Sequence, residues 1–177
     1  GVRAASAGGV VEARAVLVAL PPAMAAKLDF APALPSHMAR ALGVWESGAV
    51  IKILARYARP FWRDKGLSGM VMWRDLPGLF ACDASKDGGH AALVVFVGGP
   101  LALRWRGLGP SALRAEVMAR LAETLGSDAL EIVDFNQRDW TQDRWSGGAY
   151  CDLIVDATAR DAENIIRAGA PPVHFAA

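Results

Sequence analysis

Apolar and polar residues alternate along residues 48–57 of this chain. Ile51 and Ile53 fall on one side of an extended backbone, and Lys52 falls on the other. A period of two is typical of a strand that buries one face and exposes the other. We therefore predict a half-buried strand here.

Three further β-prone runs follow, at residues 68–73, 78–83 and 91–98. The sequence Asp-Leu-Pro-Gly at 75–78 and the sequence Lys-Asp-Gly-Gly at 86–89 are typical of the turns between such runs. Together with the first strand they predict an antiparallel meander.

A helix is predicted after Ser111, where apolar residues recur at a spacing of four and Gly126 stands in the position of a C-terminal cap. A last strand is predicted over residues 131–139, followed by a polar segment rich in tryptophan. The recurring apolar residues of the helix are Leu113, Val117, Leu121 and Leu125.

The start of the chain has a different pattern. A glycine pair at residues 8–9 separates two runs rich in valine and alanine, which predicts a hairpin. Its second strand, which leads to Pro21, is nearly all apolar, and we expect it to be buried on both faces. Short helices are predicted over residues 23–28 and 36–42, the second capped by Ser36.

The composition excludes several classes of protein. A hydrophobic fraction of 53% with 21% charged residues, in 177 residues, favours one sizeable folded core over disorder. The 19 basic residues nearly balance 18 acidic ones, which argues against binding to nucleic acid or to anionic lipid. The apolar runs are too short for a signal peptide or a membrane span. We expect a soluble, cytoplasmic protein with a small-molecule or protein partner.

The cysteines and histidines predict no metal site. Cys82 and Cys151 fit neither a metal-ligand spacing nor a disulfide framework, so we interpret both as buried thiols. His37, His90 and His174 are scattered and have no ligand-type residue at short spacing.

Two groups of residues resemble the flavin monoamine oxidase family. The resemblance runs along almost the whole chain, which starts at Gly1 without an initiator methionine and corresponds to the middle and later part of a family member. We therefore expect an internal fragment. The matching segments are residues 48–52 (Gly-Ala-Val-Ile-Lys), 60–63 (Pro-Phe-Trp-Arg), 139–140 (Asp-Trp) and 145–150 (Trp-Ser-Gly-Gly-Ala-Tyr).

The resemblance implies an α+β fold. Residues 23–135 would form a substrate-binding domain, an antiparallel sheet with helices on one side. Residues 1–22 and 136–177 would be partial segments of an FAD-binding domain. The strand and helix pattern agrees with this division.

The resemblance also implies roles for three side chains. Lys52 matches a lysine that reaches the reactive flavin nitrogen through a water molecule, where a cation can stabilise negative charge on the reduced ring. Tyr150 matches one of two aromatic residues that flank the amine. Trp140 matches a tryptophan near the flavin. The structural alternatives are a solvated strand lysine, a packed core tyrosine and an anchoring tryptophan.

The segment that would approach the flavin contains Trp145, Gly147, Gly148 and Ala149. Many family members have a cysteine at the position of Ala149, through which they bond covalently to the flavin. The resemblance therefore implies noncovalently held FAD. A Gly-x-Gly-x-x-Gly turn, which would cradle the pyrophosphate, is absent from the sequence, so FAD could also be absent from this chain.

Two functions follow as hypotheses. The first is the substrate-binding part of an FAD-dependent amine oxidase that acts on a small-molecule amine and is inactive as this isolated chain. The second is a free-standing module that binds a small molecule or a protein. Its exposed surface would be covered by dimerisation or by the missing FAD-domain segment. An unrelated α+β domain with chance similarity is the third interpretation.

Overall fold

A computed structural model describes residues 1–86 and 89–176 of the chain. The chain divides into two compact units. The first unit combines Gly1–Gly48 with Asp143–Ala177, and the second consists of Ala49–Gln142. The chain thus leaves the first unit once and returns to it.

The two units are defined by how densely the residues pack within each of them. Their borders differ from those of the expected segments 1–22, 23–135 and 136–177. The assignment of those segments to an FAD-binding part and a substrate-binding part stays a prediction.

Strands and short helices alternate through both units. In chain order the strands are β1 (Val2–Ser6), β2 (Gly9–Ala13), β3 (Val16–Val18), β4 (Trp45–Ser47), β5 (Val50–Tyr57), β6 (Val71–Met72), β7 (Leu79–Asp83), β8 (Ala91–Gly98), β9 (Ile132–Asp139), β10 (Asp152–Ile154) and β11 (Val173–Phe175). The helices are α1 (Pro22–Ala25), α2 (Ser36–Gly43), α3 (Phe61–Asp64), α4 (Gly99–Trp105), α5 (Pro110–Leu125) and α6 (Ala162–Ala168). The mixed composition of helices and antiparallel sheets confirms the α+β class.

The second unit contains a five-stranded antiparallel sheet in the order β6-β7-β8-β5-β9. The expected meander is right for β6, β7 and β8. It is wrong for β5, which lies between β8 and β9. Strands β5 and β8 are both eight residues long and pair from Val50↔Gly98 to Tyr57↔Ala91, whereas β6 has only two residues. The longer ladder forms more hydrogen bonds and buries more apolar surface.

The alternation predicted for β5 is confirmed. Ile51, Ile53 and Tyr57 are buried in one core together with the apolar residues of α4 and α5, while Lys52 on the opposite face is exposed. The helices therefore pack on the face of the sheet that carries the odd-numbered residues of β5.

Helix α5 confirms the predicted spacing, because the four apolar residues at intervals of four are all buried. It ends at Gly126, whose φ of 94° is a conformation that favours glycine. Lys65 supports this end: its Nζ donates to the carbonyl of Leu125 at 3.0 Å and pairs with Asp128 at 2.7 Å. The core is also tied to the next turn by the Tyr57 hydroxyl, which donates to the carbonyl of Ala129. Burial raises the pKa of Tyr57.

One carboxylate joins β7 to the helix that follows β5. Asp83 Oδ2 accepts from Trp62 Nε1 at 2.8 Å and from Arg63 Nε at 2.7 Å, and its Oδ1 accepts from the backbone of Ser85 at 2.8 Å. Burial alone would raise the pKa of Asp83, but the hydrogen bonds from Arg63, Ser85 and Trp62 outweigh it and hold the pKa well below its usual range.

In the first unit the predicted hairpin is confirmed by β1 and β2, but the expected burial of its second strand is wrong. Strand β2 is exposed along its length, because this two-stranded ladder pairs only with itself among the described residues. The apolar run continues into β3, which pairs in parallel with β11 and buries only Val18. Strands β4 and β10 form a third, antiparallel ladder.

Three smaller expectations change. Ser36 is the first residue of α2 rather than its cap, since Pro35 holds the cap position. Cys151 is exposed and Cys82 is half-buried, so the prediction that both cysteines are buried thiols is wrong. The turn predicted at residues 86–89 includes Asp87 and Gly88, which lie outside the described residues.

Within residues 1–86 and 89–176, no helix is both long and apolar enough to cross a membrane. The cytoplasmic location stays a prediction. Across the same residues, no group of three or more His, Cys, Asp or Glu side chains is placed to hold a metal ion.

We expect Asp83→Asn to lower the free energy of unfolding by about 1–3 kcal/mol at pH 7, because it weakens hydrogen bonds that the carboxylate accepts. A depressed folded pKa stabilises the fold above the unfolded value of about 3.9 and loses this effect as pH falls through it. Urea unfolding of the unmodified chain should therefore show stability falling between about pH 5 and pH 2, and the variant should show a flatter profile.

Asp64→Asn is the matched control. Asp64 pairs with Arg59, but both side chains are more than half exposed, and such surface pairs contribute little. Equal losses of stability in the two variants, or an unchanged pH profile in Asp83→Asn, would contradict the role of Asp83.

Candidate functional site

The face of the sheet opposite the helices carries a line of side chains that crosses all five strands. We call it the Lys52 row. The register of the ladders places its members side by side, because Lys52 pairs with Arg138 and Phe96, Phe96 with Phe80, and Phe80 with Met72.

The centre of the Lys52 row is an aromatic stack. The rings of Phe80 and Phe96 lie 4.7 Å apart at an interplanar angle of 10°. Lys52 Nζ lies 5.3 Å from the centroid of Phe96, within the range of a cation–π contact. Phe80 is 37% exposed and Met72 is 76% exposed. The row is therefore an open apolar surface with two cations, Lys52 and Arg138, at one end.

The structural alternative for Lys52 is a head group that is directed only into solvent. It does not account for the contact between Lys52 Nζ and the ring of Phe96. The side chain is exposed, yet its ammonium lies over a ring. Among the described residues it forms no ion pair or hydrogen bond. Its charge is thus oriented by the sheet and remains available to another group.

The sequence interpretation missed Phe80, Phe96 and Met72. A signal was present in β8, whose residues Ala91–Gly98 are apolar on both faces instead of alternating. A strand of this kind is expected where both faces are covered. The second face of β8 is the one that carries Phe96.

Trp140 follows β9 in a short 3₁₀ turn, Trp140–Gln142, and is half-buried. The guanidinium of Arg138 lies 4.7 Å from its ring centroid. Asp139 Oδ1 holds the turn by accepting from the backbone of Thr141 at 2.9 Å and from its hydroxyl at 2.6 Å. Trp140 thus stands beside the arginine that pairs with Lys52 across the ladder.

The remaining predicted residues lie in the first unit, in a loop between Asp143 and Cys151. Asp143 Oδ1 organises its first turn by accepting from the backbone of Trp145 at 3.0 Å and from the backbone and hydroxyl of Ser146, both at 2.9 Å. The ring of Trp145 is exposed and has the guanidinium of Arg144 4.7 Å from its centroid.

The two glycines of this loop are required by close packing. A Cβ on Gly148 would come within 2.6 Å of the carbonyl oxygen of Gly48 and 2.7 Å of Cβ of Ser47. Gly147 has a φ of 65°, and a Cβ there would collide with Met24. The chain itself thus accounts for both glycines, without a ligand.

Gly48 also clamps the end of the loop. Its carbonyl accepts from the backbone of Ala149 at 2.6 Å, and its N–H donates to the carbonyl of Cys151 at 3.2 Å. Tyr150 therefore lies between two points that one residue holds, and its side chain is 86% exposed. An irregular pairing of this kind directs a side chain away from a ladder. Gly48 belonged to the recognised motif, but its clamping role is visible only in the fold.

The structure thus groups the predicted residues by unit. Lys52 and Trp140 belong to the second unit, and the segment from Trp145 to Tyr150 belongs to the first. The structural alternative for Tyr150, a packed core tyrosine, is wrong, because its side chain is exposed. Trp140 is half-buried, which fits an anchor and a wall of a binding site equally.

Comparison with known proteins identifies the family of this chain. The family model described as flavin-containing amine oxidoreductase matches residues 1–177. The L-amino acid dehydrogenase of Synechocystis sp. is 28% identical over 99% of this chain, and amine oxidase [flavin-containing] B of Cavia porcellus is 32% identical over 80% of it. The chain spans 38% and 28% of the length of these two relatives.

The solved structure of cyclohexylamine oxidase from Brevibacterium oxydans has the same fold over this region. It superimposes with a TM-score of 0.90 and 28% sequence identity, covering 98% of this chain and 39% of that protein. The matched residues include both candidate surfaces, since the family model covers the chain from end to end. The chain therefore belongs to the flavin-containing amine oxidoreductase family, of which it represents a fragment.

Proposed function

We propose that this chain is the substrate-binding part of an FAD-dependent amine oxidoreductase, in which the Lys52 row faces the flavin and the amine. The observation that carries the proposal is the oriented ammonium of Lys52 at the end of an exposed aromatic stack. Residues 23–135 would supply the substrate-binding domain, and residues 1–22 and 136–177 would be parts of the FAD-binding domain.

In this proposal the loop in the first unit would lie at the edge of the flavin ring. Trp145 and Tyr150 expose aromatic surface on either side of Ala149, whose short side chain leaves room for a flat ring and offers no thiol for a covalent bond. Gly147 and Gly148 would line the approach through their backbone. The FAD would therefore be held noncovalently. The sequence contains no Gly-x-Gly-x-x-Gly turn, so the proposal assigns no pyrophosphate-binding residue in this chain.

When bound, the flavin supplies the redox chemistry by accepting a hydride equivalent from the substrate C–N bond. The ammonium of Lys52 would stabilise negative charge that develops on the reduced ring. The stack of Phe80 and Phe96 would exclude water and hold the apolar part of the amine. Tyr150 and Trp140 would present ring faces to its nitrogen.

The name of one structural relative suits such a surface. Cyclohexylamine is an amine with a wholly apolar substituent, and the Brevibacterium oxydans enzyme named for it shares this fold. The apolar row extends from Phe96 to Met72, which favours an amine with an uncharged tail. Which amine binds is decided by parts of the site beyond these side chains.

A binding module without catalysis is the second candidate function. It is favoured by the exposed apolar residues of the same sheet face, Leu54, Phe80 and Met72, because apolar surface of this kind often marks an interaction site. Catalytic silence of the isolated chain fits both proposals. A homodimer or an FAD-domain segment could cover this face.

In a flavin-loaded protein that joins this segment to the FAD-binding parts, we expect Lys52→Met to lower kcat by about 100-fold while KM for the amine changes little, because the charge acts mainly as the ring is reduced. Stopped-flow bleaching of the flavin by amine, together with steady-state turnover, measures both values. Lys52→Arg keeps the charge and should retain more activity than the methionine variant.

Lys27→Met is the control for removal of an exposed lysine, since Lys27 lies in the first unit, where its Nζ is 3.5 Å from Sδ of Met24. Its turnover should match that of the unmodified protein. Equal turnover in Lys52→Met and Lys27→Met would refute the proposed role of Lys52.

The absorption spectrum of the purified chain, before and after incubation with excess FAD and gel filtration, separates the two functions. Flavin bands that stay with the protein through gel filtration, but leave it when the protein is precipitated with acid, would support a noncovalent cofactor site. Ala149→Cys should then leave part of the flavin with the precipitated protein. A colourless chain that binds apolar small molecules in thermal-shift assays would favour the binding module instead.

A further inference from the structure

Two buried polar atoms without hydrogen-bond partners belong to residues that lie opposite each other in the ladder next to the Tyr150 loop. Ser47 Oγ and Asp152 Oδ2 have almost no accessible surface and form no hydrogen bond with the described residues. Ser47 and Asp152 are directly opposite in the antiparallel ladder of β4 and β10. Opposite residues project to the same face of a ladder, with Cα atoms about 4.5–5.5 Å apart.

A carboxylate oxygen in this position is destabilising unless it accepts a hydrogen bond. Among the described residues, no group donates a hydrogen bond to Asp152 Oδ2. The hydroxyl of Ser47 is a donor with a freely rotating hydrogen, and the carboxylate is an acceptor only. The two groups are complementary, and since residues directly opposite in a ladder are close neighbours, rotation of these short side chains can bring them together.

The position of this pair along the chain connects it to the loop. Ser47 immediately precedes Gly48, and Asp152 immediately follows Cys151. Gly48 is the residue that holds both neighbours of Tyr150. A hydrogen bond between the side chains of Ser47 and Asp152 would therefore stabilise the ladder one residue away from Gly48, where the irregular pairing begins.

We propose that Ser47 and Asp152 are positioning residues, a hydroxyl–carboxylate latch that fixes the direction of Tyr150. Gly48 supplies the clamp, and the latch prevents the ladder from slipping at that point. Neither side chain touches the amine. Their importance for turnover rests on the proposed function, whereas the latch itself is a property of the loop and is measured without substrate.

Hydrogen exchange of the Ala149 amide, which donates to Gly48 at 2.6 Å, tests the latch directly. We expect Asp152→Leu to increase its exchange rate by at least about tenfold, because the carboxylate that accepts from Ser47 is lost. Ser47→Ala should act similarly and serves as the second variant if Asp152→Leu fails to fold. Asp152→Asn keeps an acceptor oxygen and should restore most of the protection.

Glu46→Leu is the matched control. Glu46 lies in the same ladder opposite Leu153, and both are exposed. The control should leave exchange of the Ala149 amide unchanged. Unchanged protection in both Ser47→Ala and Asp152→Leu, or an equal increase in the Glu46 control, would overturn the latch.

Activity separates the failure of this inference from failure of the proposed function. In the flavin-loaded protein, loss of the latch should raise KM for the amine several-fold and leave kcat closer to normal, with rescue by Asp152→Asn. The latch variants could show faster exchange with an unaltered KM, while Tyr150→Phe and Tyr150→Leu remain fully active. This combination would support the latch and reject the role of Tyr150. Normal exchange in the latch variants would reject the latch alone.

Discussion

The second unit depends on the pairing of β5 along its whole length with two neighbours, β8 on one side and β9 on the other. Because β5 alternates strictly, this pairing fixes which residues enter the core beneath the helices and which face outward. A shift of one residue would bury Lys52 and expose Ile51. The exposed ammonium is thus a consequence of the same pattern that forms the core.

A second constraint acts in the first unit, where backbone approaches backbone too closely for side chains. Gly148 packs against Gly48, and Gly48 in turn bonds to both neighbours of Tyr150. The glycines hold the loop in a shape that directs an aromatic ring outward. Rigid support for an exposed functional side chain is a common property of binding sites.

Both candidate surfaces expose aromatic or apolar groups that a complete globular protein would be expected to cover. The Lys52 row does so on a sheet face, and the loop does so through Trp145 and Tyr150. In a family defined by a flavin and an amine, such surfaces suit a flat cofactor and an apolar substrate. The chain spans less than two-fifths of the length of these two relatives.

The sequence by itself determined the elements whose pattern is local and strong. The alternation in β5, the spacing in α5, and the motifs around Lys52 and Tyr150 were sufficient to predict the strand, the helix and the family. Only the tertiary structure decided the strand order, the exposure of β2 and the row formed by Phe96 and its neighbours. Those features depend on which ladder is longest and on which residues lie opposite one another across strands, and distances of this kind are not encoded in local periodicity.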